Sequence, residues 1–280
     1  MRLRLCSLLL LPWLAWAKPL ALVIQGDQYY PPYSYLQDGQ FRGIYVDLLK
    51  VVFAEMPGYQ VELQPMPWKR GLRMLELGDS FALFPPYLHL KERPWIGRYS
   101  APMLEEEVAV FCRDDVVLPD KPAFPDDFQG LTFGINSGFA LGGEAFRQAV
   151  AQGWIRLEAA HSNQSNLLKM VLHRIDCYIN DRRAILFDLE VLEEQGWPMA
   201  LAGIGQKASV SREMAYLAFS RYESRYPYRD AFVEEFNRVL AKVKARGELD
   251  RIVASYLNGA AQSGETATGP GPSAPPASSR

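Results

Sequence analysis

Apolar runs alternate with helical patterns along the first third of the chain. Leu20 to Ile24 is an apolar run that predicts a strand, and Gly43 to Phe53 has helical spacing of apolar residues. An alternating segment, Val61 to Pro65, predicts a second strand, and a helix is expected from about Lys69. The wholly apolar run Phe81 to Phe84 then predicts a buried strand. This order of elements predicts a βαβαβ unit with a parallel sheet.

A second α/β series follows a proline-rich connector. Strands are predicted at 130–135, 155–159 and 176–181, and helices at 141–151, at 163–173 and from Arg182 onward. The two series resemble each other in the order helix, acidic residue, apolar strand and polar loop, which indicates two similar lobes. Beyond them, 214–219 predicts a strand, and 230–256 has a long helical pattern interrupted at Gly247.

The two ends of the chain differ from the body. Arg2 and Arg4 precede a short apolar run, and Ala15-Trp16-Ala17 matches a cleavage site, so residues 1–17 are predicted to be a cleaved signal peptide rather than an uncleaved anchor. The chain is therefore expected to be exported to the periplasm. Residues 259–280 contain mainly Gly, Ser, Ala, Pro and Thr, and they are predicted to form a disordered tail of no assignable role.

Composition excludes some classes of function. The net charge of -2 and the lack of a basic block argue against a nucleic-acid partner. After export two cysteines remain, Cys112 and Cys177, and an oxidising compartment permits a bridge between them. They belong to different predicted strands, one at 104–111 that Cys112 directly follows and one at 176–181, and this placement favours two buried thiols. The three histidines have no metal-ligand spacing with either cysteine, so neither a metal nor a cofactor is expected.

Several separated pieces, in order, resemble the periplasmic amino-acid-type solute-binding proteins of ABC transporters, that is, bacterial extracellular solute-binding protein family 3. The pieces are Tyr30-Pro31-Pro32-Tyr33, 43–48, 75–79, 91–93, 99–102, 130–135, 174–181, 236–240, 247–249 and Tyr256. The resemblance implies an α/β, two-lobed type II periplasmic-binding-protein architecture, each lobe a mostly parallel sheet flanked by helices. By the same resemblance, residues 18–110 and 206–258 form lobe 1, and residues 111–205 form lobe 2, inserted between two hinge crossings.

The resemblance also implies a ligand site. The family binds an amino acid's carboxylate with the arginine that corresponds to Arg93, and its α-ammonium with an acidic residue that corresponds to Asp181. Rings matching Tyr30 and Trp68 enclose the solute's side chain. Each residue has a plainer interpretation: Arg93 as a surface arginine near Trp95, Asp181 as a helix cap, and the two rings as core between the lobes.

This sequence departs from the family pattern near that site. Pro85, Pro86 and Leu88 stand where many members have serines, and Gly138-Phe139-Ala140 replaces a Gly-Thr-Thr-like turn. The predicted site therefore includes Phe139, with the polar Asn136 and Ser137 near an expected helix N-terminus and with Tyr33 and Tyr87 from the aromatic loops. Such a pocket is more apolar than an ordinary amino-acid site. An α-amino acid and an aromatic or carboxylate-bearing solute without an amine both remain candidates.

The function predicted from this resemblance is non-catalytic. The lobes of a monomer are expected to close on a small solute, and the closed form is expected to dock onto an inner-membrane ABC permease. A sensory module that contacts a membrane sensor without a transporter of its own is the first alternative. A dehydratase-like enzyme on the same fold is the second; Asp27, Glu62 and Asp181 lie near predicted strand ends, but no pair has a catalytic spacing.

Overall fold

The computed structural model describes residues 18–197 and 202–263, with side chains as far as Tyr256 in the last helix. The predicted signal peptide, residues 1–17, and residues 264–280 of the predicted tail lie outside this range. In the part of the chain that is described, no helix has the length and apolarity that a membrane crossing requires.

The first lobe is built on a sheet with the strand order β5-β1-β6-β13-β7. Its strands are β1 (Leu20–Asp27), β5 (Tyr59–Met66), β6 (Ala82–Phe84), β7 (Ile96–Tyr99) and β13 (Ala218–Ser220). The pairings of β1 with β5 and with β6 are parallel, as the βαβαβ pattern predicts. Strand β13 pairs antiparallel with β6 and β7, so the sheet is mixed.

Four helices and a small sheet complete this lobe. The helices are α1 (Ile44–Ala54), α2 (Trp68–Leu77), α6 (Arg229–Ala245) and α7 (Glu248–Ser263). Helix α2 ends at Gly78, which has the left-handed φ of 76° that glycine adopts most easily. The aromatic loop forms the three-stranded sheet β2 (Tyr29–Tyr30), β3 (Ser34–Gln37) and β4 (Gln40–Arg42).

The second lobe has the strand order β10-β9-β11-β8-β12. Its strands are β8 (Leu104–Arg113), β9 (Thr132–Asn136), β10 (Arg156–Ala160), β11 (Cys177–Asp181) and β12 (Ile204–Ala215). Its helices are α3 (Gly143–Ala151), α4 (Asn163–Val171) and α5 (Arg182–Glu194). Strand β9 pairs parallel with β10 and β11, whereas β8 pairs antiparallel with β11 and β12. The α/β, two-lobed architecture is thus confirmed, with two mixed sheets.

Two strands carry the chain between the lobes. Strand β8 begins at Leu104, soon after β7 of the first sheet ends at Tyr99, and β12 ends at Ala215, just before β13 of the first sheet begins. The lobe boundaries expected at 110/111 and 205/206 fall inside β8 and β12. Because both strands belong wholly to the second sheet, we place the crossings nearer Leu104 and Ala215.

The structure differs from the sequence-based expectations in three further features: one disulfide, one strand and one helix. Cys112 and Cys177 form a disulfide, where two free thiols were favoured, because antiparallel pairing of β8 with β11 sets them directly opposite each other, with a Cα–Cα distance of 4.0 Å. Strand β12 begins at Ile204, where no strand was predicted, and the predicted strand at 214–219 is divided between the end of β12 and β13. The last helix continues to Ser263, so the first residues of the predicted tail are helical.

Candidate functional site

A cleft between the lobes lies at the carboxyl ends of β1, β6 and β9, where α/β folds commonly hold ligands. Its lining combines apolar surface with one acidic side chain, one histidine and one arginine. The lining residues are Asp27, Tyr30, Trp68, Pro85, Pro86, Tyr87, His89, Arg93, Phe139, Ala140 and Leu141. The remaining cavity measures about 20 Å³, which is room for about one water molecule. The lobes are therefore closed on each other in this structure.

Arg93 is the cation of the cleft. Its side chain belongs to a residue that is only 6% exposed, and the centre of its guanidinium lies 5.6 Å from the centroid of the Trp68 ring. Burial lowers the pKa of Arg93, with no carboxylate among its hydrogen-bond partners in the described chain. In the described chain the guanidinium makes one hydrogen bond, from Nη2 to the carbonyl oxygen of Gly138, at 3.3 Å. The other guanidinium donors are thus free for an anionic acceptor.

Aromatic rings from both lobes meet in the cleft. Phe139, from the second lobe, lies edge-on to Tyr30 at a centroid distance of 5.4 Å and edge-on to Trp68 at 6.0 Å. Trp68 also donates its indole N–H to the carbonyl of Gly138 at 3.3 Å. Tyr30 and Trp68, the two rings expected to enclose a solute, therefore contact a ring of the protein, that of Phe139.

A buried carboxyl, Glu106, lies behind the cleft wall. The hydroxyls of Tyr30, Tyr45 and Tyr87 all donate to it, that of Tyr87 at 2.6 Å. Burial raises the pKa of Glu106 to about 8, and the nearby Asp181 carboxyl adds to this rise. Two cleft-lining rings, those of Tyr30 and Tyr87, are thereby anchored to the beginning of strand β8.

Both carboxylate oxygens of Asp181 accept hydrogen bonds from groups of the protein itself. Oδ1 accepts the N–H of Ala184 and the hydroxyl of Tyr33, both at 2.9 Å, and Oδ2 accepts the N–H of Glu107 at 3.0 Å. The residue is fully buried and caps α5, and burial raises its pKa to about 6. Neither Asp181 nor Tyr33 lines the cleft cavity.

Asn136 and Ser137 also lie away from the cavity. Asn136 is buried in a polar network in which its amide donates to Asn163 at 2.7 Å and its oxygen accepts from Tyr178 at 2.9 Å. Ser137 is half-buried, and its N–H donates to the carbonyl of Ala160 at 2.8 Å. Of the predicted set, the fold brings together Tyr30, Trp68, Tyr87, Arg93 and Phe139 around one cavity.

Two titratable residues of the cleft were not in the predicted ligand set. Asp27, at the end of β1, is 2% exposed, and burial raises its pKa to about 7, although its Oδ1 accepts the N–H of Tyr29 at 3.0 Å. His89 lies on the loop after β6, and burial lowers its pKa. The position of Asp27 directly after an apolar strand was the available sequence signal. Within the described residues, no group of His, Cys, Asp and Glu side chains is arranged to hold a metal ion.

Comparison with known proteins assigns the family. The model of the bacterial extracellular solute-binding proteins, family 3, matches residues 22–259. The chain belongs to this family. No curated protein sequence matches it. Membership makes the chain a solute-binding protein of an extracellular family and confirms the resemblance stated from the sequence.

Solved structures share the fold with this family member at low identity. A histidine kinase sensor domain with similarity to periplasmic binding proteins is 18% identical, with a TM-score of 0.70, over 86% of this chain and 97% of that one. An ancestral arginine-binding protein bound to arginine is also 18% identical, with a TM-score of 0.69, over 86% and 99%. A third structure was solved to explain glutathione import in Gram-positive bacteria via GshT and the cystine ABC importer TcyBC of Streptococcus mutans. It is 16% identical, with a TM-score of 0.69, over 86% of this chain and 95% of that one.

Proposed function

We propose that this family member captures a small carboxylate-bearing solute in the cleft between its lobes, with Arg93 as the carboxylate ligand. The observation that carries this proposal is a nearly buried guanidinium that makes one hydrogen bond, to a carbonyl, in the described chain. A buried arginine is stabilised by a planar acceptor that pairs with its fork of donors, and a carboxylate is such an acceptor. The surrounding aromatic and proline surface favours a solute with an apolar body.

If the solute carries an amine, we assign its ammonium to Asp27. In support, Asp27 lines the same cavity as Arg93, whereas the Asp181 oxygens already accept three hydrogen bonds inside the protein. An ammonium beside Asp27 stabilises its ionised form, whereas burial raises the pKa of this carboxyl to about 7 in the free protein. Affinity for an amine-bearing solute is therefore expected to fall as the pH drops below about 7, with a slope that approaches about tenfold for each pH unit.

The test is a thermal-shift panel of amino acids, aromatic acids and small carboxylates against the protein and its Arg93→Ala variant. A ligand at a hundred times its Kd adds about 2.7 kcal/mol to the free energy of unfolding, which is an easily measured shift. We expect a carboxylate hit that disappears with Arg93→Ala. For a hit with an amine, repetition at pH 6 and pH 8 tests the assignment to Asp27.

The matched control is Arg73→Ala, because Arg73 lies on α2 and pairs with Glu76 on the exposed surface. This control is expected to keep the hit. A carboxylate that binds equally well to Arg93→Ala contradicts the role of Arg93. A panel in which only uncharged or cationic compounds bind contradicts the proposed solute class.

The partner of the closed form has two candidates. Delivery to an ABC permease is supported by family membership and by the fold shared with the structure from glutathione import. A sensory role is supported by the fold shared with a histidine kinase sensor domain. Co-purification of the solute-loaded protein with a permease or with a sensor kinase in detergent separates the two. That the protein is non-enzymatic and that it is monomeric both stay predictions. NMR of each bound solute over time tests for its chemical conversion, and light scattering tests the oligomeric state.

A further inference from the structure

The turn Ser137–Ala140 follows β9 of the second lobe and contacts the first lobe inside the cleft. Gly138 has a left-handed φ of 87°, and the N–H of Phe139 donates to the carbonyl of Asn136 at 2.9 Å, which fixes the turn at its base. A Cβ on Gly138 would lie 3.2 Å from Cδ1 of Trp68. The backbone of the turn therefore lies directly against the indole ring.

The carbonyl of Gly138 accepts hydrogen bonds from two groups of the opposite lobe. Arg93 Nη2 and Trp68 Nε1 each donate to this oxygen at 3.3 Å. Arg93 is the same guanidinium that the proposed function assigns to a solute carboxylate. One backbone oxygen thus takes the place of one carboxylate oxygen.

The side chain of the next residue takes the place of a solute's apolar body. The Phe139 ring is edge-on to Tyr30, with an interplanar angle of 85°, and edge-on to Trp68, with an angle of 76°. Edge-on contacts at these centroid distances are a favoured geometry for aromatic pairs. Phe139 also packs against two apolar clusters, one that spans both lobes and one that lies in the first lobe. With the ring in this position, the cavity left in the cleft has a volume of only about 20 Å³.

We propose that the turn Ser137–Ala140 is a built-in pseudo-ligand, whose Gly138 carbonyl and Phe139 ring close the cleft in the absence of solute. A solute of amino-acid size enters only after the turn leaves Arg93 and Trp68, so it competes with the turn. That competition rests on the proposed function, whereas closure of the empty protein does not. The Phe139 side chain then sets both the fraction of solute-free molecules whose cleft is open and the size of the solute that the cleft admits.

The test is small-angle X-ray scattering of the protein after unfolding in denaturant, dialysis and refolding with the disulfide intact, so that any carried-over solute is removed. The solute-free protein is expected to scatter as the closed form. Phe139→Ala is expected to shift the ratio of closed to open forms by roughly tenfold towards open, since it loses two aromatic contacts. This shift appears as a larger radius of gyration. Trp68→Phe, which keeps a ring but loses the N–H donor, is expected to move the scattering in the same direction by less.

The matched control is Trp154→Ala, a ring truncation at a 51% exposed position of the second lobe outside the cleft, which is expected to stay closed. Circular dichroism and a cooperative thermal transition verify that each variant folds; should Phe139→Ala fail, Trp68→Phe carries the test. A solute-free wild type that is already open overturns the proposal. So does an unchanged radius of gyration in the folded variants. No solute is present, so failure of the carboxylate panel leaves this result standing.

Discussion

Replacement of Glu106 by glutamine is expected to change how the stability of the protein depends on pH. Burial raises the pKa of this carboxyl from 4.5 to about 8, the Asp181 carboxyl adds to the rise, and the hydroxyls of Tyr30, Tyr45 and Tyr87 oppose it. Between those two pH values the unfolded chain has lost the proton of Glu106, while the folded protein still holds it. The free energy of unfolding therefore falls as the pH rises through this window.

The size of the effect follows from the shift. Each pKa unit corresponds to about 1.4 kcal/mol, so the shift of Glu106 removes roughly 5 kcal/mol of stability by the time the pH exceeds 8. Glutamine has nearly the same shape and does not ionise, so this loss is absent from Glu106→Gln. Near pH 5 the variant is expected to be less stable than the wild type by about 1 kcal/mol, because the amide satisfies the three hydroxyls less well.

Urea unfolding of both proteins at pH 5, 6, 7 and 8 measures the difference. The free energy of unfolding of the variant minus that of the wild type is expected to rise by several kcal/mol from pH 5 to pH 8. Subtraction cancels the buried carboxyls that are not coupled to Glu106, namely Asp27 and Asp188, whose pKa values burial also raises. The coupling of Glu106 to Asp181 is part of the measured difference. Glu105→Gln, at an exposed position on the same strand, is the control and is expected to show no such rise. A difference that stays constant within about 1 kcal/mol refutes the reasoning.

Two further predictions concern the second lobe. The disulfide closes a segment with a sequence separation of 65 residues, so Cys112→Ser with Cys177→Ser is expected to lower the free energy of unfolding by about 4 kcal/mol. Urea unfolding measures this loss, and a reductant that leaves the wild type's stability unchanged would contradict it. Asp181→Ala is expected to cost about 3 kcal/mol, since a helix cap and two other hydrogen bonds disappear together. Ser162→Ala, which removes only the exposed cap of α4, should cost about 1 kcal/mol; equal losses would show that the additional bonds of Asp181 do not stabilise the fold.

The local pattern of apolar and polar residues was sufficient to predict most strands and helices, because burial of one face of an element imposes a period on its apolar positions. The predicted strand at 61–65 lies within β5, and the predicted helices at 43–53 and 163–173 correspond to α1 and α4. Strand β12 was not predicted because its residues are mostly half-buried, with no clean alternation of apolar and polar positions. Its partner β8 is distant in the sequence, so only the pairing of the two strands defines it.

The candidate site was predictable in part. Arg93, Tyr30 and Trp68 follow from the family resemblance, and the fold does bring them to one cavity. Asp181 shows why the rest of the site could not be predicted. An aspartate directly before a helix can either cap that helix or bind an ammonium, and the sequence is the same in both cases. The three internal hydrogen bonds of Asp181 are visible only once Tyr33 and Glu107 have been brought beside it.

Most strands and helices, the two-lobed α/β class and the family could be predicted from the amino-acid sequence, since these depend on periodicity and on ordered local motifs. The contacts between side chains on different elements became visible only in the folded structure. The pairing of Cys112 with Cys177, the burial of Glu106 among three tyrosines and the insertion of Phe139 between Tyr30 and Trp68 all join residues that are far apart in the chain. Burial and hydrogen bonding between distant residues arise only when the sheets have assembled, so no local pattern contains them.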